Sequence, residues 1–203
     1  MMNLHAVVPV KALRLAKSRL APALAPAGRR ALVLEMLGRV LRTLNHPAIT
    51  TIWLSSTDSL LLAMGLAWGA HPLYDTAGEL NGALEQARSV AWAAGATALL
   101  VVPADIPLIN AEDVASVAAA LVNGADVVLA PDISGRGTNA LALQRHAELP
   151  FRFGSGSALH HQAEATVRGL RIDRIFSATL AFDIDLPSNL DYYRSLATGQ
   201  TAP

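Results

Sequence analysis

The chain has 203 residues, of which 52% are hydrophobic, 16% charged and 5% aromatic, and sixteen basic side chains balance sixteen acidic ones. That suits one domain over residues 1–203 with a large core of Ala, Leu and Val, and it excludes a disordered chain. The zero net charge gives no bulk attraction to nucleic acid or a membrane surface, and the lack of cysteine excludes disulfides, thiolate metal sites and a cysteine nucleophile.

Residues 4–10 read as a buried strand, with no basic signal-peptide segment ahead of it. The loop that follows carries Lys11, Arg14, Lys17, Ser18 and Arg19, and Lys11 and Lys17 are the only lysines in the protein. Leu32, Met36, Val40 and Leu44 share one face of a helix over 29–44. A strand over 50–55 follows, then a Leu-rich helix capped by Asp58 and ending near Trp68. A short strand over 71–74 leads to an Ala-rich helix over 80–94. The apolar run from Leu99 then ends at Pro103-Ala104-Asp105-Ile106-Pro107.

Beyond it lie a helix over 110–122 with Asn110 as cap, a strand over 126–130 and a strand over 139–143. A short strand at 151–153 precedes a helix over 158–168. Strands over 170–175 and 179–184, a helix over 189–195 and a frayed tail from Ala197 complete the reading. Strands alternating with helices predict an α/β sandwich on a mostly parallel sheet, and the strand-dense second half predicts a mixed or antiparallel addition. The tryptophans Trp53, Trp68 and Trp92 read as core. No apolar run reaches the length of a membrane span, so a soluble, cytoplasmic protein is expected.

Candidate chemistry collects at a few places. A buried strand ending on Asp105 would bring that carboxylate to the carboxyl edge of the sheet, where open α/β sheets bind ligands; otherwise Asp105 is a turn former before proline. Asp183 and Asp185, two apart on the expected strand, would share a face. Alone, such a pair is more simply a strand entering solvent. With Asp105 at another strand end, a hard cation such as Mg²⁺ is favoured. The first loop suits phosphate, lysine as a point charge and arginine as a fork.

Gly135-Arg136-Gly137-Thr138-Asn139 and Phe153-Gly154-Ser155-Gly156-Ser157 are Gly-rich turns that let backbone approach an anion, or are simply turns. Neither is a Walker A loop, and no Gly-x-Gly-x-x-Gly follows the first strand. Ser155 and Ser157 lack a nucleophile elbow. His160 and Glu164, four apart on a helix beside His161, read as a surface pair.

In their order, Val8-Pro9-Val10-Lys11, Ala16-Lys17-Ser18-Arg19-Leu20, Pro103-Ala104-Asp105-Ile106-Pro107-Leu108, Gly137-Thr138-Asn139-Ala140-Leu141, Phe153-Gly154-Ser155-Gly156-Ser157 and Phe182-Asp183-Ile184-Asp185 resemble the phospholactate guanylyltransferase family of coenzyme F-420 biosynthesis. The resemblance spans residues 4 to 195. It implies a three-layer nucleotidyltransferase-like sandwich of the nucleotide-diphospho-sugar transferase kind. It also implies an enzyme joining GTP to 2-phospho-L-lactate, phosphoenolpyruvate or 3-phospho-D-glycerate with loss of pyrophosphate.

By motif, Asp105, Asp183 and Asp185 match metal-binding aspartates for Mg²⁺, and Thr138, Gly154 and Ser157 match contacts to the acceptor. Pro9, Lys11, Lys17 and Arg19 match the triphosphate loop, with Asp105, Lys17 and Arg19 the catalytic set. Leu80-Asn81-Gly82 matches a segment near the base. Gly156 departs from the larger or acidic residue expected in some relatives.

The competing readings are another metal-dependent nucleotidyltransferase, using CTP with molybdopterin or a sugar phosphate, and a non-catalytic nucleotide-binding protein of the same fold. The absence of a Gly-x-Gly-x-Arg-Met loop weighs against the first, and the presence of all three carboxylates against the second. Small-molecule substrates, no nucleic acid and no membrane are the expected partners, and the strand-rich second half offers an edge for a homodimer.

Overall fold

Strand β1 (Leu4–Pro9) sends Leu4, Ala6 and Val8 into one apolar cluster and Val7 into another, all fully buried. A strand apolar on both faces needs cover on both, which favours a parallel sheet between helical layers. In the computed structural model, which describes residues 2–15 and 17–198, that sheet has seven strands. They are β1, β2 (Thr51–Ser56), β3 (His71–Tyr74), β4 (Ala98–Val101), β5 (Val127–Pro131), β6 (Thr138–Gln144) and β7 (Ile172–Arg174), in spatial order β3-β2-β1-β4-β6-β5-β7. Strands β1 to β4 are parallel, β6 runs antiparallel to both β4 and β5, and β7 is parallel to β5. The mixed addition therefore falls in the second half, as the strand density implies.

The helices are α1 (Pro26–Leu44), α2 (Ser59–Ala67), α3 (Leu80–Ala93), α4 (Ala111–Val122), α5 (Ser157–Val167), α6 (Ala178–Ala181) and α7 (Pro187–Thr198). Helices α3 and α5 cover one face of the sheet, and the other five pack into the cluster on the opposite face. Helix α1 begins three residues before the expected position because Pro26, with no N–H to leave unpaired, opens its first turn. Asp58 caps α2, accepting from the Leu60 and Leu61 amides.

Neighbouring β1 on one side is β2 and on the other β4, so the strand order reverses there. Crevices for ligands open at the carboxyl ends of such strands. The loop after β1 and the turn after β4 therefore meet, one carrying the lysines and the other Asp105.

Three expectations are corrected. Residues 179–184 are not a strand: Ser177 caps the short α6, accepting from the Leu180 amide. The following Phe182 is extended, and the Ile184 amide donates to the Asp105 carbonyl at 3.1 Å instead of joining a ladder. Residues 151–153 pair with helix side chains rather than with a strand. Arg88 donates to the Leu149 carbonyl at 2.7 Å, the Phe151 amide to Glu85 at 3.3 Å, the Arg152 amide to His161 at 3.0 Å and the Phe153 amide to Asn81 at 2.8 Å. Asn81, Glu85 and Arg88 lie at helical spacing on α3, so one stripe of that helix does the work of a strand edge.

Finally, Trp53 and Trp92 are half-buried and Trp68 is 38% exposed, so none is fully interior. The last strand shortens to β7. Helix α7 continues through Ala197 to Thr198, and the remainder of the expected frayed tail lies outside the described residues.

Asp113 ties the carboxyl-terminal segment to the rest. It is 6% exposed and accepts from the Asn110 amide at 3.0 Å, Ser177 Oγ at 2.6 Å and Thr179 Oγ1 at 2.7 Å, thereby closing the capping box of α4 and anchoring α6. Asp113→Ala leaves three donors without their acceptor and is expected to lower the unfolding free energy by about 2–4 kcal/mol in urea titration.

Candidate active site

Asp105 sits in the turn beyond β4, and its main-chain bond to Ile184 brings Asp183 and Asp185 beside it. Phe182 and Ile184 are buried in the core while Asp183 and Asp185 remain half-exposed, so the alternation expected of a strand survives without one. Into this acidic corner reaches Lys17. Its Nζ lies 2.7 Å from Asp105 Oδ2 and 2.9 Å from Asp185 Oδ1, and Arg19 adds a bond of 3.2 Å to Asp185.

Lys17 holds a left-handed backbone, φ 52 and ψ 43, at the start of a single turn over Ser18–Leu20. For a residue with a Cβ that costs about 1 kcal/mol, which the two ion pairs offset. Ala16 of the same motif lies outside the described residues.

The charges set one another's protonation. Burial opposes the Lys17 charge, but Asp105 and Asp185 outweigh it and hold the ammonium above its ordinary pKa. Burial likewise opposes ionisation of Asp185, yet Lys17, Arg19 and Lys11 bring its pKa below the usual carboxylate range. Asp183 goes the other way: burial and then the like charges of Asp105 and Asp185 raise it, against weaker help from Lys17 and Asn139. The cations thus act mainly on Asp105 and Asp185 and leave Asp183 the least compensated of the three acids.

Hard oxygen donors of this kind suit Mg²⁺. Among the described residues no three His, Cys, Asp or Glu side chains converge to hold an ion by themselves, and Lys17 fills the space between Asp105 and Asp185. Mg²⁺ needs only one or two carboxylates, taking water and substrate phosphate for the rest. The donor set therefore fits an ion shared with a phosphate rather than one caged by protein.

The two Gly-rich turns meet. The Ala158 amide donates to the Arg136 carbonyl at 2.9 Å, and His161 Nδ1 lies 3.1 Å from Thr138 Oγ1. Gly154 (φ 130) and Gly156 (φ 70) take backbone angles that side chains resist, and Gly156 leads directly into Ser157, the buried first residue of α5. Between the Ala130–Ala140 and Pro131–Thr138 pairs, β6 carries Asn139 as an extra residue. The bulge lets Thr138 meet α5 while Ala140 faces the opposite cluster. Asn139 Nδ2 binds the Leu180 carbonyl at 2.9 Å, linking this strand to the Asp183 segment.

Other expected site residues take varied positions. Pro9 ends β1 and Lys11 follows it exposed to solvent, close enough to act on Asp185. Asn81 and Gly82 form the first turn of α3. There the Asn81 amide bonds both the N–H and the carbonyl of Phe153, while Glu79 caps the Asn81 and Gly82 amides. The side chain of Asn81 thus clamps the backbone just before the Gly154–Ser157 turn. Of the pair expected at the surface, His160 is exposed and Glu164 bonds Arg152 and Arg168, whereas His161 beside them is fully buried, a residue for which no separate role was expected. Periodicity could have marked it: His161 falls on the same face of α5 as buried Ala158 and Ala165.

A reversal of strand order with a cationic loop and carboxylates above it defines a nucleotidyltransferase-type α/β fold. A nucleotidyl transferase from Methanothermobacter thermautotrophicus shares that fold with a TM-score of 0.72 at 15% identity, over 98% of this chain and 99% of the other. The chain belongs to the family described as guanylyl transferase CofC like, whose model matches residues 4–193.

It is 46% identical to the phosphoenolpyruvate guanylyltransferase of Chloroflexus aggregans, over 92% of this chain and 94% of that protein. Identity to the 2-phospho-L-lactate guanylyltransferase of Methanothermobacter thermautotrophicus is 34%, over 93% and 83%.

Burial, with His160 and Arg152 adding to it, pushes the pKa of His161 from 6.5 to about 4. Between those values the unfolded chain binds the additional proton, so stability falls as pH drops from about 6.5 to about 4, by roughly 3 kcal/mol from this group. Urea unfolding of the protein and of His161→Gln across that range is expected to show the fall diminished in the variant by that amount.

Proposed function

We propose that the protein transfers the guanylyl group of GTP to the phosphate of a small three-carbon phosphoacid, releasing pyrophosphate, in the biosynthesis of coenzyme F-420. The observation that carries this reading is the Lys17 ammonium held between Asp105 and Asp185 at the reversal of strand order, with Asp183 beside them. Phosphoenolpyruvate is the foremost acceptor, supported by the name of the relative at 46% identity; 2-phospho-L-lactate and 3-phospho-D-glycerate follow. A cytoplasmic enzyme fits a chain without cysteine and with no helix, among the described residues, long and apolar enough to cross a membrane.

A phosphate monoester has its second pKa near ~6 and is largely dianionic at neutral pH. One of its oxygens attacks the α-phosphorus of GTP, the bond from that phosphorus to the bridging β oxygen breaks, and pyrophosphate leaves. The nucleophile needs no protein base. The protein's task is to hold two anions together in line. Lys11, Lys17 and Arg19 receive the triphosphate beside Pro9, and Thr138, Gly154 and Ser157 receive the acceptor. Mg²⁺ would be held by one or two carboxylates drawn from Asp105, Asp183 and Asp185 together with substrate phosphate, and would supply screening of the phosphates and stabilisation of charge on the leaving pyrophosphate.

Pyrophosphate release measured with each nucleoside triphosphate and each acid, in the presence of Mg²⁺, is expected only with GTP and one phosphoacid; release with CTP and a sugar phosphate instead would refute the reading. Chelation is expected to abolish turnover and added Mg²⁺ to restore it. Asp105→Asn is expected to lower turnover by about tenfold or more at saturating Mg²⁺ while the thermal midpoint stays near that of the parent.

A further inference from the structure

The hydrogen bonds of His161 determine which way round it acts. The Arg152 amide lies 3.0 Å from Nε2, and a backbone N–H can only donate, so Nε2 is the bare nitrogen of the ring. In a neutral imidazole the proton then belongs to Nδ1, and Nδ1–H donates to Thr138 Oγ1 at 3.1 Å. Full burial keeps the ring neutral at physiological pH. With one lone pair of Oγ1 taken up in this way, and no other protein partner for the hydroxyl among the described residues, Thr138 retains its own proton for an acceptor outside the protein.

The opposite tautomer would reverse the outcome: Thr138 would spend its proton on Nδ1 and turn lone pairs toward an incoming anion. The ring also fixes the neighbouring turn. Its Nε2 holds the Arg152 backbone two residues before Gly154, and its edge meets the Phe153 ring at 5.2 Å and 69°.

We propose that His161 is a positioning residue of the acceptor site, which fixes the Thr138 hydroxyl as a hydrogen-bond donor to an oxyanion of the phosphoacid. The inference rests on the assignment of Thr138 to that site. It predicts a preference for a charged oxyanion over an ester or amide at this contact, since a directed O–H donor is stronger toward an ionised acceptor.

Steady-state kinetics with GTP and phosphoenolpyruvate separate the two layers. Thr138→Val and His161→Gln are each expected to raise the KM for phosphoenolpyruvate about tenfold, with the KM for GTP within about twofold. The double variant should raise the KM by clearly less than the product of the two single effects, because His161 acts largely through that hydroxyl. His161→Asn, whose amide N–H can replace Nδ1–H, should recover most of the loss.

Additive effects in the double variant would overturn the positioning role and leave the Thr138 contact standing. An unchanged KM in Thr138→Val would overturn that contact and the proposal together. A measurement independent of any variant is the ¹⁵N spectrum of the His161 ring in the whole protein at pH 7. A protonated Nδ1 and a bare Nε2 are expected, and a protonated Nε2 would refute the proposal.

Discussion

Lys17 ties the loop after β1 to two segments far from it in sequence. Its ammonium bonds Asp105, from the turn after β4, and Asp185, from the segment before α7, at partners 88 and 168 residues away. Three carboxylates crowded at a strand edge would repel one another in a half-buried setting; a single cation reduces that cost and fixes the corner before any ligand arrives. The main-chain bond from Ile184 to Asp105 completes the constraint, because it sets the register in which Phe182 and Ile184 enter the core and the acids turn outward. Under the proposed reaction, a triphosphate and a divalent cation would exchange one set of pairings for another at this corner.

The Gly-rich turn around Gly154 and Gly156, proposed to receive the acceptor, is held by different means. The residues from Leu149 to Phe153 have no strand neighbour, so their backbone groups are satisfied by Arg88, Glu85, His161 and Asn81. Side chains from two helices thus aim a turn containing Gly154 and Gly156, and the bulge at Asn139 swings Thr138 toward it. Backbone polar groups away from water must be paired, and here the pairing also delivers geometry to the site. The corner at Lys17 is governed by charge and the turn at Gly154 by hydrogen bonding.

Much of this was legible in the residues. The apolar strands, the caps Asp58 and Asn110, the cationic first loop and the acids Asp105, Asp183 and Asp185 each leave a local signature, and the family resemblance orders them. What misled was also local: Thr179 to Ile184 has the apolar alternation of a strand, yet Ser177 caps a helical turn and Asp113 captures Thr179. His161, adjacent to an exposed histidine, carried no expectation of its own, and its buried neighbours on α5 mark its face as interior.

The sequence by itself determined the α/β layering, the cationic first loop, the Gly-rich turns and the acids at the ends of their segments, because periodicity, capping and residue chemistry act over a few positions. Only the tertiary structure decided that Lys17 spans Asp105 and Asp185, that Asn81 clamps Phe153 rather than standing free, and that His161 lies between the Arg152 amide and Thr138. Those outcomes depend on partners 9 to 168 residues apart. A hydrogen bond or ion pair at such separation is set by strand order and a one-residue bulge, which local pattern does not encode.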